Sequence, residues 1–137
     1  MNEPVAISPL QPELPGTAGE CHYWGRLYGS SKALALSAAA VNARGPLVII
    51  TADLNNASRL LQGLTFYQPQ AGGKIMPLSF PDWETLPYDQ FSPYQDIISD
   101  RLATLSSLPD LAQGILVVAV TTVMHKLLPR SYLSAYS

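Results

Sequence analysis

The stretch Arg26-Leu27-Tyr28-Gly29-Ser30-Ser31-Lys32-Ala33 can be laid over the phosphate-binding frame G-x-x-x-x-G-K-[ST]. In a working loop of that kind the glycines let backbone N–H groups close around phosphates. The lysine reaches the β/γ oxygens, and the final hydroxyl holds magnesium. Here Arg26 stands at the first glycine, Ser31 at the second and Ala33 at the hydroxyl position. Only Lys32 survives, with Gly29 and Ser30 inside the loop. A side chain at either glycine crowds an approaching phosphate, and alanine cannot ligate a metal. In this frame the chain has the chassis of a nucleotide-driven domain without its chemistry. Gly-Ser-Ser-Lys is equally an ordinary turn before a helix, so the rest of the chain has to decide.

Other residue types capable of chemistry are sparse. Cys21 is the only cysteine, which rules out an internal disulfide. His22 and His125 lie far apart with no cysteine partner, so a metal site has no support. Five carboxylates (Asp82, Glu84, Asp89, Asp96 and Asp100) fall in one stretch that carries no basic residue. Paired carboxylates can do acid–base work, but no nucleophile with a histidine partner accompanies these. They read instead as solvated loop charges, with Asp96 placed in a first helical turn where it favours the dipole. Trp83, Tyr88, Phe91 and Tyr94 could form a stacking platform for bases. Without interleaved lysine or arginine that platform lacks its electrostatic half, and the aromatics are expected to pack a loop onto a sheet.

Composition narrows the class further. Apolar residues make up 47 % and charged residues 13 %, ample for a core but thin for a surface, so part of the surface is expected to face another domain. A net charge of −2 and a pI near 5.5 argue against autonomous nucleic-acid binding. The longest aliphatic run, Ile115 to Val120, is too short to span a bilayer. The N-terminus has Glu3 and early prolines but no basic and apolar signal regions. The expectation is a cytoplasmic chain with no membrane partner.

The elements that would position the loop alternate. Residues 1–19 read as an irregular Pro-rich leader and Tyr23 to Tyr28 as a short strand. Ser31 to Arg44 is predicted helical, with Leu34, Ala38 and Val41 inward and Gly45-Pro46 as the stop. Leu47 to Thr51 has the continuous apolar character of a strand covered on both faces. Leu54 to Gln62 is a second helix with Leu54, Ala57 and Leu61 inward, Asp53 as N-cap and Gly63 just past the end. Ile75 to Phe80 is a poorer strand, broken by Pro77 and placed near an edge. Ser92, Pro93 and Gln95 form the N-terminal signature of a third helix, with Ile98, Leu102 and Leu105 on one face and Leu108-Pro109 at its end. Ile115 to Val120 is the strongest buried strand. Thr121 or Thr122 caps a last short helix that Pro129 ends. This order predicts an α/β fold, a parallel sheet with helices on both faces, and an incomplete one, since four strands are few for such a domain.

The run from Asp82 through Ser92-Pro93-Tyr94-Gln95-Asp96 to Leu105 closely resembles the N-terminal region of the bacterial transcription-repair coupling factors. The similarity extends to Gly29 in the ruined loop, to Leu47-Val48-Ile49-Ile50 and to Ile115 through Met124, covering about Tyr23 to Leu133. That region is itself similar to the excision-repair protein UvrB, whose own loop is intact. The resemblance implies a P-loop helicase-like fold, incomplete here, over residues 20–125. A second, UvrA-contacting subdomain would begin near Lys126 and be truncated at Ser137, so the partner-binding residues are expected mostly beyond Ser137. The resemblance further implies a non-catalytic module helping to recruit UvrA to stalled RNA polymerase. The intact parent would be an ATP-dependent DNA translocase whose motor, using ATP and magnesium, and whose contacts to RNA polymerase and double-stranded DNA lie elsewhere. No cofactor is expected for this segment. The alternative from another class is a nucleotide-binding P-loop-type enzyme domain with an atypical loop.

Overall fold

Ile115 to Ala119 is the strand in which every residue is buried, and the main sheet is built around it. The computed structural model describes residues 5–70, 72, 75–82 and 95–136. In chain order the elements are β1 (Val5–Ala6), β2 (Trp24–Gly25), α1 (Ser31–Asn42), β3 (Leu47–Thr51), α2 (Leu54–Tyr67) and β4 (Pro77–Ser79). Then come α3 (Gln95–Ser107), a 3₁₀ turn (Leu108–Asp110), β5 (Ile115–Ala119), α4 (Val120–Val123) and α5 (Arg130–Tyr136).

The main sheet is three-stranded and all parallel, in the order β3-β5-β4, with Leu47 and Pro77 both opposite Ile115. Strand pleating sends alternate residues to opposite faces. On one face Ile115 and Val117 pack with Ala40 of α1 and with Ala57 and Leu64 of α2. On the other, Leu116 and Val118 pack with Phe80, Leu105 and Leu108. Helices therefore cover both faces, and the predicted α/β class with a parallel sheet is the one observed.

Several local expectations change. The leader is not wholly irregular, because Val5–Ala6 pairs in parallel with Trp24–Gly25 as a separate two-stranded sheet. The strand expected over Tyr23 to Tyr28 shrinks to those two residues. Helix α1 buries Ala33, Ala35, Ala38, Ala39 and Ala40, while Leu34 is only half-buried. The reason is steric, since small residues let α1 sit close to its neighbours. Strand β3 is not covered on both faces: Val48 is 56 % and Ile50 58 % exposed.

Helix α2 does not stop before Gly63 but continues to Tyr67. Gly63 is there for close packing: a Cβ built on it would meet the Ala33 side chain at 2.7 Å. Leu54 is largely exposed, and Leu64, beyond the predicted helix end, is the residue that fills the core. Asp53 does cap α2, accepting from the Asn56 backbone N–H at 2.7 Å. In β4, Pro77 is the first residue of an edge strand, where its missing N–H is tolerated.

The N-terminal signature at Ser92 and Pro93 lies outside the described residues. Within α3, Leu102 is exposed and Arg101 is buried, against the expected pattern. Neither Thr121 nor Thr122 caps α4; the N-cap position is Ala119, and Thr122 is fully buried. Helix α4 ends at Val123, and after Pro129 the chain forms α5, which packs on α3. The stretch from Lys126, expected to open a second subdomain, is thus described as far as Tyr136, and Ser137 lies outside the described residues. Among the described residues no helix is long and apolar enough to cross a membrane.

Candidate functional site

The phosphate-loop frame lands where such a loop belongs, in the turn between β2 and the first turn of α1. Backbone conformation at the first frame position is still of the glycine kind. Arg26 has φ 58°, in the left-handed region that side chains disfavour, and Gly29 has φ 55°. The second frame position is closed. The Ser31 hydroxyl donates to the Tyr28 carbonyl at 2.6 Å, and the Ser31 N–H donates to the same oxygen at 3.1 Å. Both of its donors are thus consumed within the turn. Ser30 occupies the N-cap position of α1 but makes no side-chain cap bond. Ala33, at the magnesium position, is buried against Gly63.

Beside this turn is a cavity of about 610 Å³. Lys32 and Leu36 line it from α1, Ile49 and Ile50 from β3, and Arg59 and Leu60 from α2. Lys32 and Arg59 are exposed, and among the described residues neither forms an ion pair. The nearest carboxylate in sequence to α2, Asp53, is occupied by the Asn56 backbone N–H and side-chain amide, at 2.7 and 2.9 Å. The cavity can attract an anion by charge. It holds no histidine, carboxylate or cysteine in its lining, so no general base or metal ligand among the described residues faces it. Among the described residues no group of three or more His, Cys, Asp or Glu could hold a metal ion.

The remaining candidates separate. Cys21 is exposed. His22 Nε2 lies 2.7 Å from Glu20 Oε1, in the loop before β2. Asp96 is in the first turn of α3, and Asp96 and Asp100 are both exposed. Glu84, Asp89 and the aromatic set Trp83, Tyr88, Phe91 and Tyr94 lie outside the described residues. So does Ser137, past which most of the partner-binding residues are expected.

A second polar cluster was not foreseen. The Arg101 guanidinium donates from Nη1 to the Pro81 carbonyl at 2.5 Å and sits 4.3 Å from the centre of the Phe80 ring. Burial pushes the Arg101 pKa down, with the nearby Asp82 charge opposing. His125 Nδ1 is 3.3 Å from Asp82 Oδ1 but is not aligned for a hydrogen bond. This cluster ties the end of β4 to α3 and to the segment after α4, which is a structural arrangement. Its signal was present in the spacing, because Arg101 lies at i+3 from Ile98 and four before Leu105, on the inward stripe. Arg59 had no comparable signal, since its place at the cavity depends on how α2 docks.

No protein-family model matches the chain. It is 42 % identical over 124 residues, 90 % of its length, to the transcription-repair-coupling factor of Escherichia coli. The coupling factor of Haemophilus influenzae is 37 % identical over the same share, and that of Mycobacterium tuberculosis 32 % over 76 % of the chain. The chain belongs to the transcription-repair coupling factor family. It spans about a tenth of the length of the curated relatives it matches: 10 % for the first two and 9 % for the third. The coupling-factor matches take in the ruined loop and the sheet together, since 90 % coverage leaves room to omit little of either.

Proposed function

We propose that this segment is the non-catalytic, UvrB-like module of a transcription-repair coupling factor. In this reading it helps recruit UvrA, so that removal of stalled RNA polymerase is coupled to excision repair in the cytoplasm. The observation that carries the reading is the state of the loop. Ser31 spends its donors on Tyr28, and Ala33 packs on Gly63 at the position where a hydroxyl would bind magnesium. The glycine-like backbone at Arg26 supports descent from a working loop rather than an incidental turn. Nucleotide chemistry with ATP and magnesium, and contacts to RNA polymerase and double-stranded DNA, would then belong to other parts of the parent protein. An acidic pI and dispersed basic residues support the absence of DNA binding by this segment itself.

UvrA contact is assigned to the subdomain that follows, from about Lys126 and mostly past Ser137. The test is capture of UvrA by residues 1–137 and by a chain extended through the next subdomain. The extended chain should capture UvrA, and residues 1–137 should do so weakly or not at all. Equal capture would move the contact surface into the α/β body, and no capture by either chain would remove the recruitment role.

The second reading, a nucleotide-binding enzyme domain with an atypical loop, is favoured by one feature: Lys32 and Arg59 at a common cavity. Calorimetric titration with Mg·ATP separates the two. A flat titration is expected, and a micromolar dissociation constant would promote the enzyme.

A further inference from the structure

The segment β2-α1-β3 is a strand–helix–strand unit whose two strands do not touch. In a parallel sheet such a unit normally returns its second strand to the same sheet as the first. Here, among the described residues, β2 pairs only with β1, and β3 pairs only with β5. Between them lies the cavity of about 610 Å³, walled by Gly29, Ser30 and Lys32 of the turn after β2 and by Ile49 and Ile50 of β3. All-parallel sheets are buried on both faces, and natural edge strands carry a charge, a proline or a bulge to prevent stray pairing. Strand β3 has none of these over Leu-Val-Ile-Ile-Thr, and it leaves Val48 and Ile50 exposed.

We propose that this cavity is a strand slot rather than a ligand pocket. Its occupant is a β-strand from the intact coupling-factor polypeptide outside residues 1–137, running parallel to β3 and hydrogen-bonded to its free edge. The relatives are about ten times longer than the matched segment, so polypeptide to supply it is abundant. A second copy of this chain fits less well, because the Gly29–Lys32 turn closes the far side of the slot. The inserted strand would cover Val48 and Ile50 and join β2 to the main sheet. It would also bring the closed loop beside Arg26 and Ser31 to the end of a continuous sheet, where a working phosphate loop stands. The slot belongs to the architecture of the family segment and does not depend on UvrA contact.

The test compares amide hydrogen exchange of the 46–52 peptide in residues 1–137 and in the full-length coupling factor that contains them. Exchange should slow by at least tenfold in the longer chain (about a tenfold change in the opening equilibrium). A companion variant, Ile50→Lys, should leave the thermal transition of residues 1–137 unchanged and lower that of the longer chain. Identical exchange in both chains would overturn the proposal, whether or not the variant folds. Two other outcomes would also overturn it. One is a concentration-dependent dimer of residues 1–137 in sedimentation that Ile50→Lys abolishes. The other is protection of the 46–52 peptide of residues 1–137 by Mg·ATP or inorganic phosphate alone, which would make the slot a ligand site.

Discussion

Gly63 of α2 faces Ala33 of α1 so closely that a Cβ on the glycine would stand 2.7 Å from the alanine Cβ. Glycine inside a helix costs about 0.5–1 kcal/mol relative to alanine, so its presence is explained by this contact. Gly63→Ala should be net destabilising, since overpacking costs about 1–3 kcal/mol and outweighs the propensity gained. Ala33→Thr, which restores the metal-binding hydroxyl of the phosphate-loop frame, should destabilise by a similar amount. It should also leave a Mg·ATP titration flat, because Arg26 and Ser31 remain. Chemical denaturation and calorimetry check both. If Gly63→Ala proved stabilising, the helices are not in contact as described.

Helix α2 depends on its cap. Asp53 accepts from the Asn56 N–H at 2.7 Å and from the Asn56 side-chain amide at 2.9 Å. Asp53→Ala leaves an orphan N–H at the helix start and should cost about 1 kcal/mol. Asp53→Asn retains an acceptor and should cost a fraction of that. Equal losses for the two variants would point to charge, not capping, as the contribution.

Acid should release the loop before β2. Glu20 accepts hydrogen bonds from His22 (2.7 Å), from the Gly16 N–H (2.7 Å) and from the Thr17 N–H (3.2 Å). These hold its pKa down, from 4.5 to about 2, with the His22 bond the largest cause. A depressed carboxylate contributes fully above its unfolded pKa, and that contribution is lost as pH falls through the folded value. The Gly16 and Thr17 amide resonances should therefore shift between pH 4.5 and 2, with a midpoint near the lower end. A midpoint at the ordinary glutamate value would mean that the loop is not held by Glu20.

The legible parts of the fold were those with one-dimensional signals. Leu47 to Thr51 and Ile115 to Ala119 are continuous apolar runs, and Asp53 stands one residue before an apolar-periodic stretch. The frame from Arg26 to Ala33 was legible for the same reason, as a spacing. Strand order was not, because β3 and β4 both pair with β5 and nothing in their own residues names a neighbour. Exposure of Val48 and Ile50 was also hidden, since an apolar run reads the same whether its second face is covered by this chain or by other polypeptide. Gly63 read as a helix end because glycine is more often a terminator than a close-packing residue. At the candidate site, burial of Ala33 and the place of Arg59 both follow from how α1 and α2 dock, which no local pattern encodes.

Helix α3 offers the sharpest contrast between pattern and packing. Its sequence sends Leu102 inward with Ile98 and Leu105, yet Leu102 is 37 % exposed and Arg101 is 3 % exposed. Arg101 is held by the Pro81 carbonyl and by the face of Phe80, both close to Asp82. Lysine has a compact ammonium in place of the planar guanidinium, so it cannot lie over the ring and reach the carbonyl together. Arg101→Lys should therefore cost about 1–3 kcal/mol, the range for losing a buried hydrogen bond to a charged group. Arg101→Met keeps the length of the side chain but leaves the Pro81 carbonyl unpaired and should cost at least as much. Leu102→Ala, at a half-open position, should cost well under either. Denaturation of the three variants decides the matter: if Leu102→Ala were the most damaging, α3 would be rotated about its axis, and the Arg101 cluster would face solvent instead of joining β4 to α3.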